Sequence, residues 1–211
     1  MRRVRNITIV GTSHISPDSV RKARDVILKE RPQCVAVELD PERYAFLESK
    51  VQMHASLRNP MYFILNSMQT WLGAKTGVMP GSEMISAINT GKEVGAKVVL
   101  IDMDIADIMS RFGQISRWQK LKLVAQLLIS LIPWPGTKQI DISKVPDEKL
   151  VNEALKQLKK ELPTIYNVLI TERNKYMASW IRQLEKKYRK VVVVVGIGHR
   201  AGLQKLLKGR K

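Results

Sequence analysis

Apolar residues in this chain fall into short dense runs, separated by longer stretches whose apolar positions recur three and four apart. The densest run, Val191 to Val195, is five consecutive valines behind the charged segment Glu185–Lys190, and it reads as a strand buried on both faces. Three other runs predict strands as well. Val4, Ile7, Ile9 and Val10 alternate with polar residues, while Cys34–Leu39 and Lys97–Asp102 are nearly continuous and each carries an acid at its end. Between the strands the spacing is helical. Ser16-Pro17-Asp18 opens a helix to about Glu30, with serine as cap, proline at the first position and an acid in the first turn. Pro41 starts a second helical region, broken at Asn59-Pro60 and resumed over Met61–Trp71, and Gly81-Ser-Glu83 begins a helix to about Val94. Asp104–Phe112, Ile115–Ile132, Asp147–Leu162 and Pro163–Lys187 read as further helices, and Arg200–Lys208 as a terminal one.

Strands alternating with helices imply right-handed crossovers and an α/β fold with a mainly parallel central sheet. Helical sequence over about 41–95 and 104–187 exceeds what crossovers need, which predicts a helical lobe over the C-terminal edge of the strands. Nothing between the elements resembles a flexible linker, so residues 1–211 are expected to form a single domain.

In a parallel sheet all strand C-termini lie on one edge, where ligands bind. His14 lies just beyond the first strand in Gly11-Thr-Ser-His14, and His199 just beyond the last in Gly196-Ile-Gly-His199. Glu38 and Asp102 end the two strands between. The four residues therefore converge on one edge. Two neutral imidazoles with one or two carboxylates suit a divalent transition metal holding an activated water. Both histidines are expected to precede helix N-termini, whose positive end disfavours imidazolium. Arg43, one turn after Glu38, suits orientation of an acid or a clamp on substrate. Glu83 fits either the cleft or a helix N-terminus, and Arg173 either substrate binding or a structural ion pair with Glu172.

Composition adds a strong basic bias: 36 Lys and Arg against 19 Asp and Glu give a net charge of +17. Ten Lys/Arg against one Glu fall between Arg182 and Lys211, so a basic C-terminal region facing an anionic membrane is one expectation. Nucleic acid is disfavoured as a partner because the few aromatics do not interleave with that run. One cysteine, Cys34, rules out an internal disulfide and points to a reducing, cytoplasmic compartment. No P-loop, HExxH, GxSxG or cysteine-rich zinc pattern occurs.

Gly11–His14, Val37–Arg43, Pro80–Met84, Leu100–Asp102, Glu172-Arg173-Asn174 and Gly196–His199, taken in order, resemble the TraB/PrgY (pheromone shutdown) family, related to the Tiki peptidases. The resemblance implies a fold like the erythromycin-esterase and ChaN-like group. It also implies a metal-dependent, peptidase-like site at His14, Glu38 and His199, with Asp102 as a further ligand or behind the ligands, and manganese, cobalt or zinc as the ion. A peptide or small amide would be the substrate. The alternative is a non-catalytic module that sequesters a peptide or signal in the same cleft, and a homodimer is the default assembly. The chain departs from the family pattern at Met103, where an arginine is usual, which leaves open what neutralises Asp102. Archaeal-type relatives continue into a membrane-embedded C-terminal region, so a full-length protein anchored on the cytoplasmic side is a further expectation.

Overall fold

In a computed structural model, residues 3–4, 6–12, 17–49, 81–122, 125 and 148–209 are described. Five strands form one sheet: β1 (Arg3–Val4), β2 (Ile7–Thr12), β3 (Cys34–Val37), β4 (Lys97–Leu100) and β5 (Val191–Gly196). Their order is β1-β2-β5-β3-β4; β1 is antiparallel to β2 and the other four are parallel. The alternation read as one strand from Val4 to Val10 is thus a small hairpin, Arg3 facing Thr8 and Val4 facing Ile7 across a turn at Asn6.

The helices follow the expected starts closely. They are α1 (Pro17–Glu30), α2 (Pro41–Ser49), α3 (Ser82–Glu93), α4 (Ile105–Gly113), α5 (Glu148–Glu161), α6 (Pro163–Tyr166), α7 (Arg173–Lys187) and α8 (Ile197–Lys208). Asp104 caps α4, its carboxylate accepting the Ala106 N–H at 2.8 Å. Residues 117–122 are also helical, but apart from residue 125 the rest of the expected helix to Ile132 lies outside the described residues, as do the continuation of α2, the Met61–Trp71 helix and His14.

The valine strand is buried because it sits third of five in the sheet with helices on both faces. Val191, Val193 and Val195 pack with Met177, Ala178, Ile181 and Leu184 of α7 and Leu203 of α8. Val192 and Val194 face the other way, against Ala23, Val26 and Ile27 of α1 and Met84, Ala87 and Ile88 of α3. Period-two alternation thus feeds two cores from one unbroken apolar run.

A third cluster contains no strand residue: Met103, Ile108, Phe112, Ile115, Leu162, Ile165 and Val168. This is a helical lobe, rooted where the chain leaves β4. The stretch read as one helix from Pro163 to Lys187 is interrupted by a π-helical segment, Asn167–Glu172, between α6 and α7. Its i→i+5 bonding takes up one extra residue and rotates everything after it. Val168, within the π turn, belongs to the lobe, and Met177, beyond it, to the sheet core. Among the described residues no helix is long and apolar enough to cross a membrane.

Candidate functional site at the strand ends

The site starts with backbone. The Glu38 N–H still donates to the Val194 carbonyl at 2.9 Å, so Glu38 leaves the sheet beside the central strand. Leu39 and Asp40 turn the chain into α2, and Asp40 Oδ1 accepts the N–H groups of Glu42 and Arg43 at 3.0 and 3.1 Å. That is an N-cap immediately before a first-turn proline. Asp102 follows β4, with its Oδ1 accepting the Met103 N–H at 2.8 Å. Thr12 ends β2 in register with Gly196 and donates its hydroxyl to the Val195 carbonyl at 3.2 Å.

Side chains then join these ends. Arg43 bridges Asp40 and Asp102, donating from Nε to one and from a terminal nitrogen to the other. Arg173, the first residue of α7, donates from Nε to Asp102 Oδ1 at 3.0 Å and from one terminal nitrogen to Asp102 Oδ2 at 2.6 Å and Glu38 Oε1 at 2.5 Å. Its other terminal nitrogen donates to the Leu169 carbonyl in the π segment at 3.2 Å. Glu38 Oε2 accepts the Gly196 N–H at 2.6 Å. His199 places Nε2 3.3 Å from Glu38 Oε1 and Nδ1 2.9 Å from Asn174 Oδ1.

The cluster is nearly dry: the Asp102 side chain is fully buried, while Arg43, at 24 % exposed, is its most open member. Burial opposes ionisation of Asp102, but the guanidinium of Arg173 and then that of Arg43 outweigh it and hold the carboxyl well below the usual range. At Arg173 burial likewise disfavours the charge, and Glu38 and Asp102 reverse the outcome, raising its pKa above the ordinary arginine value. Among the described residues, three carboxylates (Glu38, Asp40, Asp102) meet two guanidinium groups here.

Of the residues chosen from sequence, Glu38, Arg43, Asp102, Arg173 and His199 come together. His14 lies outside the described residues. Glu83 is fully buried in the first turn of α3, where a carboxylate faces the positive end of the helix. Three details differ from expectation. α8 begins at Ile197, so His199 lies within its first turn rather than ahead of it. Arg173 does not pair with its neighbour Glu172, which instead bonds Arg111 at 2.5 Å and Asn167 at 2.7 Å. Asp102 is followed by Met103 where an arginine was expected, and two arginines reach it from elsewhere, Arg43 and Arg173. Asp40 and Asn174 were missed. Asp40 had a signal, an aspartate directly before a helix-opening proline; Asn174, a mediocre helix former buried inside α7, had only its type.

The sequence model of the TraB/PrgY/gumN family matches residues 2–210. The chain belongs to that family. An uncharacterised protein of Methanocaldococcus jannaschii is 33% identical over 96% of this chain and 53% of its own length. TraB domain-containing proteins of mouse and human are 25% and 24% identical over 94% of the chain and 62% of theirs. This TraB-family chain therefore spans little more than half the length of these relatives. Among its described residues no group of three or more His, Cys, Asp and Glu side chains is arranged to hold a metal ion. The pair His199 and Glu38 does offer two donor atoms 3.3 Å apart, close to the roughly 3.4 Å between two ligands that each stand about 2.1 Å from one tetrahedral ion.

Proposed function

We propose that the strand-end cluster is a metal-dependent hydrolase site acting on a peptide or small amide. The observation that carries this reading is the pair of donor atoms His199 Nε2 and Glu38 Oε1, 3.3 Å apart within the buried cluster at the strand ends. His199 and Glu38 fit the role of ligands to manganese, cobalt or zinc, and His14 is the expected third. Thr12, two residues before His14 in sequence, lies in register with Gly196, three residues before His199. A bound ion of this class supplies a water that ionises near neutral pH.

The protein's own groups supply position and charge. The Gly196 N–H and Arg173 hold the Glu38 carboxylate at both oxygens. Asp102, its oxygens engaged by two guanidinium groups and a backbone N–H, fits better behind the ligands, as the anchor of the arginines. Arg43, the more open of the two arginines, is placed to steady an anionic tetrahedral intermediate. The test is calorimetric titration of the purified chain with Mn²⁺, Co²⁺ and Zn²⁺, followed by hydrolysis assays on a peptide mixture. Binding lost on His199→Ala or His14→Ala, with turnover in the wild type, is the expected result. No binding of any of the three ions overturns the reading. Peptide binding without turnover would return the site to sequestration.

A further inference from the structure

The metal-site reading leaves Asn174 without a role. It sits one residue beyond Arg173 in the first turn of α7 and is 5% exposed. An asparagine is unfavourable within a helix, because its amide competes for backbone bonds, and a buried one needs a partner. Its partner is His199, at 2.9 Å from Oδ1 to Nδ1. The two side chains come from different helices, α7 and α8, and both are buried.

We propose that Asn174 is the positioning residue of His199, its carboxamide oxygen keeping a proton on Nδ1 so that Nε2 is the nitrogen offered toward Glu38. A carbonyl oxygen only accepts, so the ring nitrogen facing it carries hydrogen. With Nδ1 committed, the ring is fixed in plane with Nε2 held 3.3 Å from Glu38 Oε1, the two atoms that would ligate the ion together. Room for the amide comes from Gly202, three residues after His199 and so on the same face of α8. A Cβ at position 202 would come within 2.4 Å of Asn174 Nδ2 and 3.3 Å of its Cγ. The π segment supplies the register. Adjacent helical residues point about 100° apart, which lets Arg173 reach the acids at the sheet edge while Asn174 reaches across to α8. Without the extra residue of the π turn the pair would be displaced around the helix.

The proposal rests on the metal-site reading for what Nε2 holds, though not for the hydrogen bond itself, and the experiment separates the two. Long-range ¹H–¹⁵N correlation of the metal-free chain at about pH 7 should show His199 Nδ1 protonated, the signal being assigned by its loss in His199→Gln. Added Zn²⁺ should shift Nε2 and leave Nδ1–H in place. Asn174→Leu should weaken Zn²⁺ affinity by about 10–100-fold, and Asn174→Asp, which keeps an acceptor of the same reach, should restore it. An unprotonated Nδ1 in the wild type overturns the proposal. So does an Asn174→Leu protein with unchanged spectrum and affinity. If that variant does not fold, the wild-type and Asn174→Asp spectra decide. A protonated Nδ1 in a protein that takes up no zinc overturns the metal reading and leaves the role of Asn174 standing.

Discussion

Arg173 joins the helical lobe to the sheet through charge, so its removal tests how the site is held. Arg173→Met keeps most of the stem and deletes a guanidinium bonded to Asp102 through two nitrogens and to Glu38 through one of them. Two unit charges about 4 Å apart attract by about 4 kcal/mol at an effective dielectric of about 20, and Arg173 has two such partners. Part of that gain is offset because burial disfavours the guanidinium itself. Breaking a buried pair from one side costs about 3–5 kcal/mol, and that is the expected loss near pH 7. Since single domains have about 5–15 kcal/mol in total, the variant should be folded but markedly less stable.

The pH dependence gives the sharper check. In the wild type the folded-state pKa of Asp102 is depressed. Its contribution is therefore fully present above the unfolded value of about 3.9 and is lost as pH falls below that through the folded value. With Arg173 gone, burial still pushes the carboxyl up and Arg43 is the remaining guanidinium opposing it, so the depression shrinks and with it the contribution. The wild-type-minus-variant gap should be full near pH 7 and narrow by about pH 3. Urea unfolding at both pH values measures it, with Arg173→Lys, which keeps the charge but loses the planar fork, falling between. A gap under about 1 kcal/mol at pH 7, or one that does not change with pH, would refute the reasoning.

Other outcomes follow from the same geometry. Arg111→Ala breaks a pair to Glu172 of the same 2.5 Å length, but one with the arginine side chain 46 % exposed, so urea unfolding should register under about 1 kcal/mol. Gly202→Ala gains up to about 1 kcal/mol of helix propensity and loses about 1–3 kcal/mol to overpacking against Asn174. Its melting temperature should hold or fall modestly, while the His199 nitrogen spectrum changes clearly. Cys34 is fully buried in β3, and burial pushes its thiol up to about 11 against the opposing pull of Lys97 and Lys187. A thiol reagent at neutral pH should therefore label it only as fast as the protein unfolds; rapid labelling of the native chain would contradict that placement.

Local pattern carried the strands and most helix starts, since period, caps and prolines are all written within a few residues. It also carried the candidates at the strand ends. Once Cys34–Leu39, Lys97–Asp102 and the valine run are recognised as parallel strands, Glu38, Asp102 and His199 share an edge by topology alone. The π turn was the first thing hidden, because Asn167–Glu172 has the composition of an ordinary helix. Only a phase slip betrays it: Val168 and Met177, both buried, stand nine residues apart, which on an ideal helix places them on opposite sides.

The pairing of charges was hidden for a different reason. Arg43 suits an acid or a substrate, and Arg173 a substrate or an ion pair, on sequence alone; both are anchored on Asp102, across 59 and 71 residues of chain. Local spacing reports which face of an element a residue occupies, not which distant partner the folded sheet brings to it. That limit also explains Met103. An arginine missing beside Asp102 looked like a lost neutralising charge, yet two arginines from other elements already hold that carboxylate. A charge balance at a strand end can be met from any element whose side chain reaches it, and at Asp102 α2 and α7 meet it.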